Sequence, residues 1–566
     1  MPMVYSMWVK PWKYREGAVV CAGLICIGLL LQFSVGPVDW SLLERPLNWT
    51  LLIVFSALII LGHALSGQYY VFEWMGKAVA AVPTLLTSVF LMIVMGVTPQ
   101  MPSVMPPADD LGLTRMLGFW PFVLVHVYAM YQVGLVVMTT MTRWRMGTPL
   151  WRALLFGAVH LGLWIALVCA TLGSGEVRRL KMSAQYGKSE WRATDEYRRV
   201  VGLPLTVELK EFGIDEYPPE MLIVNRRSGE VCENSGWELT AFDTLDYAVR
   251  VEEDSVVRYV PSSAWGATSA MLVGAKKGGV GGIGWISCGN FMFPLQTLSL
   301  DDSLVVMMPQ RHPQRYYSVV DVKTQEGRAM HDTIEVNHPM HVDDWWLYQL
   351  SYNEARGRWS DVSVLELVRD PWLPAVYVGF AMLLFAAVLL FVPRRGIGLW
   401  RTGAAFSLTA IVAFLFLYWT LVQVGYFERK MMPALHSVWF APHVVVYMVG
   451  YSCLALATVA AVLRRYSLVD LMVRPGMAFL TFGMLFGAFW AKEAWGTYWS
   501  WDPKETWAAV TWTLYATYFH LRASRPNAGW CATLLLVFAF LCLQMCWWGI
   551  NYLPSAQATS IHTYNM

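Results

Sequence analysis

Residues 495–507 read WGTYWSWDPKETW: four tryptophans and a tyrosine enclose Asp502, Pro503, Lys504 and Glu505, directly after a strongly apolar run. An aromatic belt at a membrane edge uses such rings but has no need of the charged insert, so the meaning of the stretch turns on which side of a membrane it occupies. The chain around it decides that. Its 566 residues are 56% hydrophobic and only 14% charged, too apolar for a soluble globular protein of this length. Apolar runs of roughly 20 residues, enough to cross a hydrocarbon core of about 30 Å as a helix, fall at 17–36, 50–66, 78–97, 116–140 and 150–172. Six more follow a long gap, at 371–393, 399–425, 437–463, 476–496, 506–521 and 529–551, the tenth run being the shortest. The expected fold is a polytopic α-helical membrane protein of about eleven transmembrane helices with one inserted external all-β domain.

Lys and Arg accumulate in cytoplasmic loops. Here Lys10, Lys13 and Arg15 precede the first run, Arg143, Arg145 and Arg152 lie between the fourth and fifth, and Arg394, Arg395, Arg401, Arg464, Arg465, Arg474, Arg522 and Arg525 mark later loops of the same parity. The N-terminus is therefore expected inside, and the C-terminus, the gap and residues 495–507 outside. The first run lacks a small-residue cleavage site and reads as an anchor rather than a signal peptide. A net charge of +2 without a basic run offers nothing to nucleic acid. Of nine cysteines only Cys232 and Cys288 fall in the external gap, where a disulfide and two free thiols are both open. No Cys-x-x-Cys-His occurs, so the chain has no c-type haem attachment site of its own.

Residues 173–370 change character: alternating stretches such as LTVELKEF and YYSVVDVKT are separated by Gly, Pro and Asp clusters, the pattern of strands and turns. The Gly-rich run GAKKGGVGGIGW at 274–285 lacks the context of a phosphate loop and reads as a hairpin turn.

Eleven histidines are few, and their placement is informative. His160 lies in the middle of the fifth run and His520 toward the inner end of the tenth, where polar groups are costly and tend to be functional. His443 sits near the outer end of the eighth run and His562 follows the last. Each alone fits an ordinary core or solvated histidine. Together, two outer histidines flanking a tryptophan-rich segment fit a flat apolar macrocycle whose iron takes two axial imidazoles. Indole faces pack on such a ring, and Lys492 and Lys504 offer charge to its propionates. Asp502, followed by Pro503, has the form of a helix N-cap. His63 and His126 read as structural and His436 as solvated.

WGTYWSWDPKETWAAVTWTLYATYFHLR resembles the tryptophan-rich WWD signature of the haem-handling proteins of cytochrome c biogenesis, in the form typical of System II (CcsA, or ResC). WFAPHVVVYMVGY resembles that family's outer-face histidine helix, and WWGINYLPSAQATSIHTYNM its final helix with a second outer histidine. VNHPMHVDDWWLYQLSYN, VRDPWLPAVYVGF and VHLGLWIALV are similar to the partner protein CcsB, or ResB. The resemblance implies a fusion of the two: N-terminal transmembrane helices over 1–172, ResB-like from about 150; a periplasmic ResB-like β domain over 173–370; its last helix and a linker over 371–398; and a CcsA-like domain over 399–566.

The resemblance further implies that His443 and His562 ligate haem iron at an external WWD site, that His160 and His520 form a transmembrane haem site, and that Trp495, Trp499, Trp501, Trp507 and Asp502 shape the platform, Asp502 standing with the two outer histidines at the reaction site. It implies haem b as substrate and bound ligand, an apocytochrome c carrying Cys-x-x-Cys-His and a thiol-reducing partner, all at a bacterial cytoplasmic (inner) membrane. The implied reaction is that of a holocytochrome c synthase, joining haem vinyl groups to cysteine thiols. A haem exporter without ligation activity and a purely anchoring scaffold are the rival readings. Five spans ahead of the β domain, where the ResB pattern has three, leave residues 1 to about 110 unassigned.

Overall fold

The computed structural model describes residues 8–102, 105–106, 108–144, 150–253, 256–391, 399–423, 430–527 and 529–559. His562 and the rest of the C-terminal tail lie outside them. Helices α1 (Tyr14–Val35), α2 (Leu47–Leu65), α3 (Tyr70–Met75), α4 (Ala78–Val97), α5 (Trp120–Trp144) and α6 (Leu150–Gly173) precede the β segment. Helices α7 (Leu373–Leu389), α8 (Leu399–Gln423), α9 (Phe440–Val462), α10 (Tyr466–Trp495), α11 (Pro503–Ser524), α12 (Gly529–Trp547) and α13 (Pro554–Thr559) follow it. All eleven apolar runs are helical, and among the described residues eight helices are long and apolar enough to cross a membrane.

The polar α11 differs from those eight for a physical reason. It runs through the interior of the bundle between α4, α10 and α12, with Trp507, Val510, Leu514, Tyr515 and Tyr518 buried. Its threonines do not face lipid. Thr511 donates to Trp507 O at 2.8 Å and Thr517 to Thr513 O at 2.7 Å, so the buried hydroxyls are satisfied one turn back along the helix. A helix surrounded by protein needs no continuous apolar surface.

The contact with α4 also resolves where the first hundred residues belong. Gly96 of α4 lets Trp507 approach so closely that an added Cβ would lie 2.9 Å from the indole nitrogen. Ser555 donates to Gly96 O at 3.0 Å. The N-terminal helices are thus integral to the same core as the C-terminal ones. At the opposite end of α11, Tyr14 Oη lies 2.8 Å from Ser524 Oγ, which brings the basic N-terminal segment beside Arg522 and Arg525.

Between α6 and α7 stand β1 (Arg178–Gln185), β2 (Ser189–Thr194), β3 (Val200–Glu216), β4 (Leu222–Asn225), β5 (Glu238–Glu253), β6 (Val256–Pro261), β7 (Thr268–Lys277) and β8 (Val280–Ser287). They are followed by β9 (Leu298–Ser299), β10 (Leu304–Met307), β11 (Pro313–Thr324), β12 (Ala329–Glu335), β13 (Met340–Val342), β14 (Trp345–Tyr352) and β15 (Val362–Arg369). Eight form one antiparallel sheet in the order β12-β11-β3-β2-β1-β15-β14-β13. It curls until its first and last strands come close, β12 running into β13 through a tight turn bridged between Glu335 and His338. Alternate residues such as Leu205, Val207 and Leu209 point inward, as strand geometry requires. The Gly-rich run forms the β7–β8 hairpin within a separate four-stranded sheet, β6-β5-β7-β8. Cys232 and Cys288 are both free thiols.

Candidate functional site

The segment after α10 is shaped by three local devices. Gly496 takes φ +72° and ends the helix, at a point where a side chain would strike Val368 and Tyr348 of the β sheet. Asp502 caps α11: its carboxylate accepts from Glu505 N at 2.8 Å, while Glu505 Oε2 accepts from Asp502 N at 3.3 Å and from Ser500 N at 2.7 Å. Trp501, between them, holds φ +58°, a conformation that costs a bulky residue of order 1–3 kcal/mol and persists only where its surroundings impose it. Thr506 Oγ1, donating to Trp501 O at 3.1 Å, is one such restraint.

Two aromatic groups result. On one side Trp495 packs on Trp490 with centroids 5.3 Å apart, and Trp490 lies 5.3 Å from Phe440 and 5.8 Å from His443. On the other, Trp499 meets Trp501 edge-on at 5.7 Å, and Trp501 meets Phe122 of α5 at 6.1 Å. Trp507 joins neither group. It is 5% exposed in the α4 contact, and its indole nitrogen has no hydrogen-bond partner among the described residues.

His443 occupies the first turn of α9. Its Nδ1 lies 2.8 Å from Gly483 O on α10, and Gly487 beneath leaves room for the ring. A carbonyl can only accept, so Nδ1 carries the proton, and in a neutral ring the lone pair then sits on Nε2. The same arrangement recurs within single helices: His160 Nδ1 meets Phe156 O, His520 Nδ1 meets Ala516 O and His126 Nδ1 meets Phe122 O, each at 2.8 Å. This is the orientation that histidine ligands of metals use.

His160 and His520 come together from opposite halves of the chain, ring centroids 6.3 Å apart and planes at 79°. Two imidazoles bound through Nε2 to opposite sides of one metal, with bonds of about 2.0 Å, have centroids separated by about 6 Å, which is the separation of this pair. His126, read from sequence as structural, lies with its ring 4.0 Å from Phe122, on the wall that meets Trp501. Lys492 does not project toward the rings. It donates to Gly496 O at 3.0 Å and stands over Tyr348, which makes it a clamp on the turn.

The β domain presses directly on this segment. Arg179 of β1 forms a two-pronged pair with Glu366 of β15, at 3.1 and 2.7 Å, and donates to Trp495 O at 3.0 Å. Asn337 donates to Pro433 O and Ala434 O at 3.1 and 3.2 Å, and Ala434 O also receives the Trp490 indole at 2.8 Å. His436 is exposed, yet its Nε2 lies 2.9 Å from Tyr217 Oη of the β domain. Nearby Asp370 has its carboxyl pushed up by burial, against the opposing charge of Lys492. Sequence alone does not reveal the docking residues, although Glu366, a carboxylate within the apolar strand VSVLELVR, signals a buried partner.

Residues 374–556 match the family model described as Cytochrome C assembly protein, and residues 289–360 match the ResB-like family. Similar proteins include Cytochrome c biogenesis protein CcsA of Guillardia theta, 31% identical over 221 residues that cover 32% of this chain and 71% of that protein. The Chlamydomonas reinhardtii protein of the same name is 34% identical over 154 residues, covering 24% of this chain and 42% of its own. The one from Manihot esculenta is 46% identical over 89 residues, 16% of this chain, which spans only 26% of that relative's length. With its bundle of apolar helices, its tryptophan-rich turn and a β domain docked against it in one polypeptide, the chain belongs to the CcsA family of cytochrome c biogenesis proteins and carries a ResB-like segment, in the manner of a fused CcsB and CcsA.

Proposed function

We propose that this protein matures cytochrome c at a bacterial cytoplasmic membrane, passing haem outward and joining it to an apocytochrome c. The observation that carries the reading is the meeting of His160 and His520 at axial-ligand spacing inside the bundle, with His443 in the same tautomer beside the tryptophan-rich turn. Family membership supports the substrate class. Sidedness is supported by the β domain and residues 495–507 standing at one end while the basic N-terminal segment meets the end of α11 at the other.

In this reading His160 and His520 hold haem on its way across, and His443 holds it outside, with His562 as second ligand. Trp495, Trp499 and Trp501 supply flat apolar walls. Attachment adds each S–H of a Cys-x-x-Cys-His pair across one vinyl group: sulfur bonds one vinyl carbon, the thiol hydrogen ends on the other, and no net oxidation occurs. Such an addition needs reduced thiols and alignment more than an acid or base, and holding both partners makes it effectively intramolecular. Asp502, committed to capping α11, acts by shaping the turn.

The experiment is expression in cells lacking other maturation proteins, with an absorption spectrum of the purified protein and a stain for covalent haem on a supplied apocytochrome. Haem in the protein and on the apocytochrome is expected. Haem in the protein alone would reduce the function to export, and an absence of haem would overturn the reading.

A further inference from the structure

We propose that a groove on the β domain, lined by Tyr247, Ser262, Ser263, Arg358 and Trp359, binds a carboxylate-bearing extended segment of the apocytochrome. The inference rests on the substrate class of the proposed function and adds the place where that substrate docks.

The groove has a volume of about 500 Å³. The Arg358 guanidinium lies over the Tyr247 ring, 3.2 Å from its centroid, with the Trp359 ring at 5.6 Å. Its Nη1 is buried without a hydrogen-bond partner, and its guanidinium makes no ion pair among the described residues. A half-buried, unpaired arginine is unusual, because a desolvated cation is stable only when something answers its charge. Burial lowers the Arg358 pKa, and Glu216, Asp246 and Asp215 counter this only through space.

Neighbouring Arg311 shows the contrast. It reaches Asp246 at 3.0 Å and Glu216 at 3.6 Å and donates to Tyr217 O at 2.8 Å and Glu216 O at 3.2 Å, so its fork is fully used. Arg358 Nε and Nη2 make no hydrogen bond among the described residues and, unlike Nη1, are not sealed off, so that edge is the one left open, and it matches a planar carboxylate. A dianionic phosphate is disfavoured, since Glu216 and the exposed Asp246 stand close by. Tyr247 is fixed by donating to Glu216 Oε2 at 3.0 Å, and Trp359 by donating to Ser263 O at 3.1 Å, which leaves rigid aromatic faces for side chains of a bound peptide.

Position favours the apocytochrome as occupant. Arg311 links Asp246 at the groove to Tyr217, whose hydroxyl donates to Met431 O at 3.0 Å and lies 2.9 Å from His436. That segment leads directly into α9 and His443. A peptide held in the groove is therefore anchored on the element that connects to the outer histidine.

The test uses the full-length protein in detergent and two labelled synthetic peptides, both with serine at the two cysteine positions of Cys-x-x-Cys-His. One carries Asp and Glu after the histidine, the other Asn and Gln. The acidic peptide is expected to bind at least tenfold more tightly, with that preference lost in Arg358→Gln, reduced in Arg358→Lys and kept in Arg227→Gln. Equal binding of the two peptides, or a preference that survives in Arg358→Gln, overturns the proposal. Displacement of the acidic peptide by inorganic phosphate at concentrations where acetate has no effect would also overturn it. Haem absorbance unchanged in Arg358→Gln shows that the fold is intact and keeps this result separate from the haem reading.

Discussion

Arg179, at the start of the β domain, donates to the main-chain oxygen of Trp495, at the start of the tryptophan-rich turn, across 3.0 Å. The guanidinium is held in place by Glu366, whose side chain is 9% exposed. Removing the guanidinium strands a nearly buried carboxylate and frees the carbonyl that begins the turn, and breaking such a pair costs about 3–5 kcal/mol. Because Arg179 itself is 31% exposed, the expected loss is smaller, about 2 kcal/mol. Arg179→Ala should lower the thermal unfolding temperature, raise proteolysis between the β domain and the helices, and reduce haem in the purified protein. Arg179→Lys should recover only part of each, since an ammonium cannot span both oxygens and the carbonyl. Full haem content and an unchanged melting curve in Arg179→Ala would show that the β domain does not seat the turn.

His160 and His520 make a sharper prediction, because the proposal has them share one iron. Removing either ligand should abolish the same six-coordinate spectral species, and removing both should do little more, so the effects fail to add. His160→Ala, His520→Ala and the double variant are compared by absorption and resonance Raman spectra, with imidazole supplied to refill the missing position. Additive partial losses would place the two rings at separate sites.

Much of this arrangement was legible in the sequence, and the exceptions have physical causes. Apolar runs announced the helices because lipid leaves a backbone few alternatives. Asp502, Pro503 and Glu505 announced the cap because every contact involved is local. What escaped was long-range. Nothing near His443 in sequence names Gly483 as its acceptor, and nothing in α4 names Trp507 as its neighbour. The α11 run is the shortest of the eleven because hydropathy assumes a lipid surround, whereas this helix is surrounded by protein. His436, expected to be solvated, is exposed but tethered to Tyr217 because an entire domain folds back over it.

Acid should weaken the pairing of β11 with β12 at one edge of the β sheet. The Arg315 guanidinium hydrogen-bonds Glu335 and holds its carboxyl below the usual range. A depressed folded-state pKa means that the stabilisation is fully present above the unfolded carboxylate value of about 4.3, and is lost as pH falls through the lower folded value. Glu216 works in the opposite sense, since burial raises its pKa and the folded state then gains from lower pH. The contribution of Glu335 must therefore be read as a difference: the stability gap between wild type and Glu335→Gln should be constant near neutral pH and narrow below about pH 4. A gap independent of pH would mean that the pair contributes nothing to stability.

Trp501 offers a separation of strain from function. At φ +58° it occupies a region where glycine is at ease. Trp501→Gly removes the backbone penalty of order 1–3 kcal/mol together with the ring that meets Trp499 and Phe122. The melting temperature should fall less in Trp501→Gly than in Trp501→Ala, because only glycine relieves the backbone strain, while haem retention falls in both and Trp501→Phe should retain some haem. Equal retention in Trp501→Gly and wild type would reduce the ring to packing.

Gly487 tests His443 without touching it. A methyl group there would lie 2.7 Å from His443 Cε1 and 2.9 Å from Nδ1, closer than carbon contacts allow, so the imidazole must swing away and its bond to Gly483 O must lengthen or break. Within a helix the same change favours folding, by about 1 kcal/mol relative to glycine. Gly487→Ala should therefore leave helix content intact and thermal stability little changed or higher, while the haem signal that depends on His443 falls as it does in His443→Ala. Imidazole should restore that signal in both variants, because in each the missing element is a nitrogen ligand at the same place. Haem binding that is unaffected in Gly487→Ala, with its stability measured in the same preparation, would mean that His443 is a packing residue and that the iron is held elsewhere.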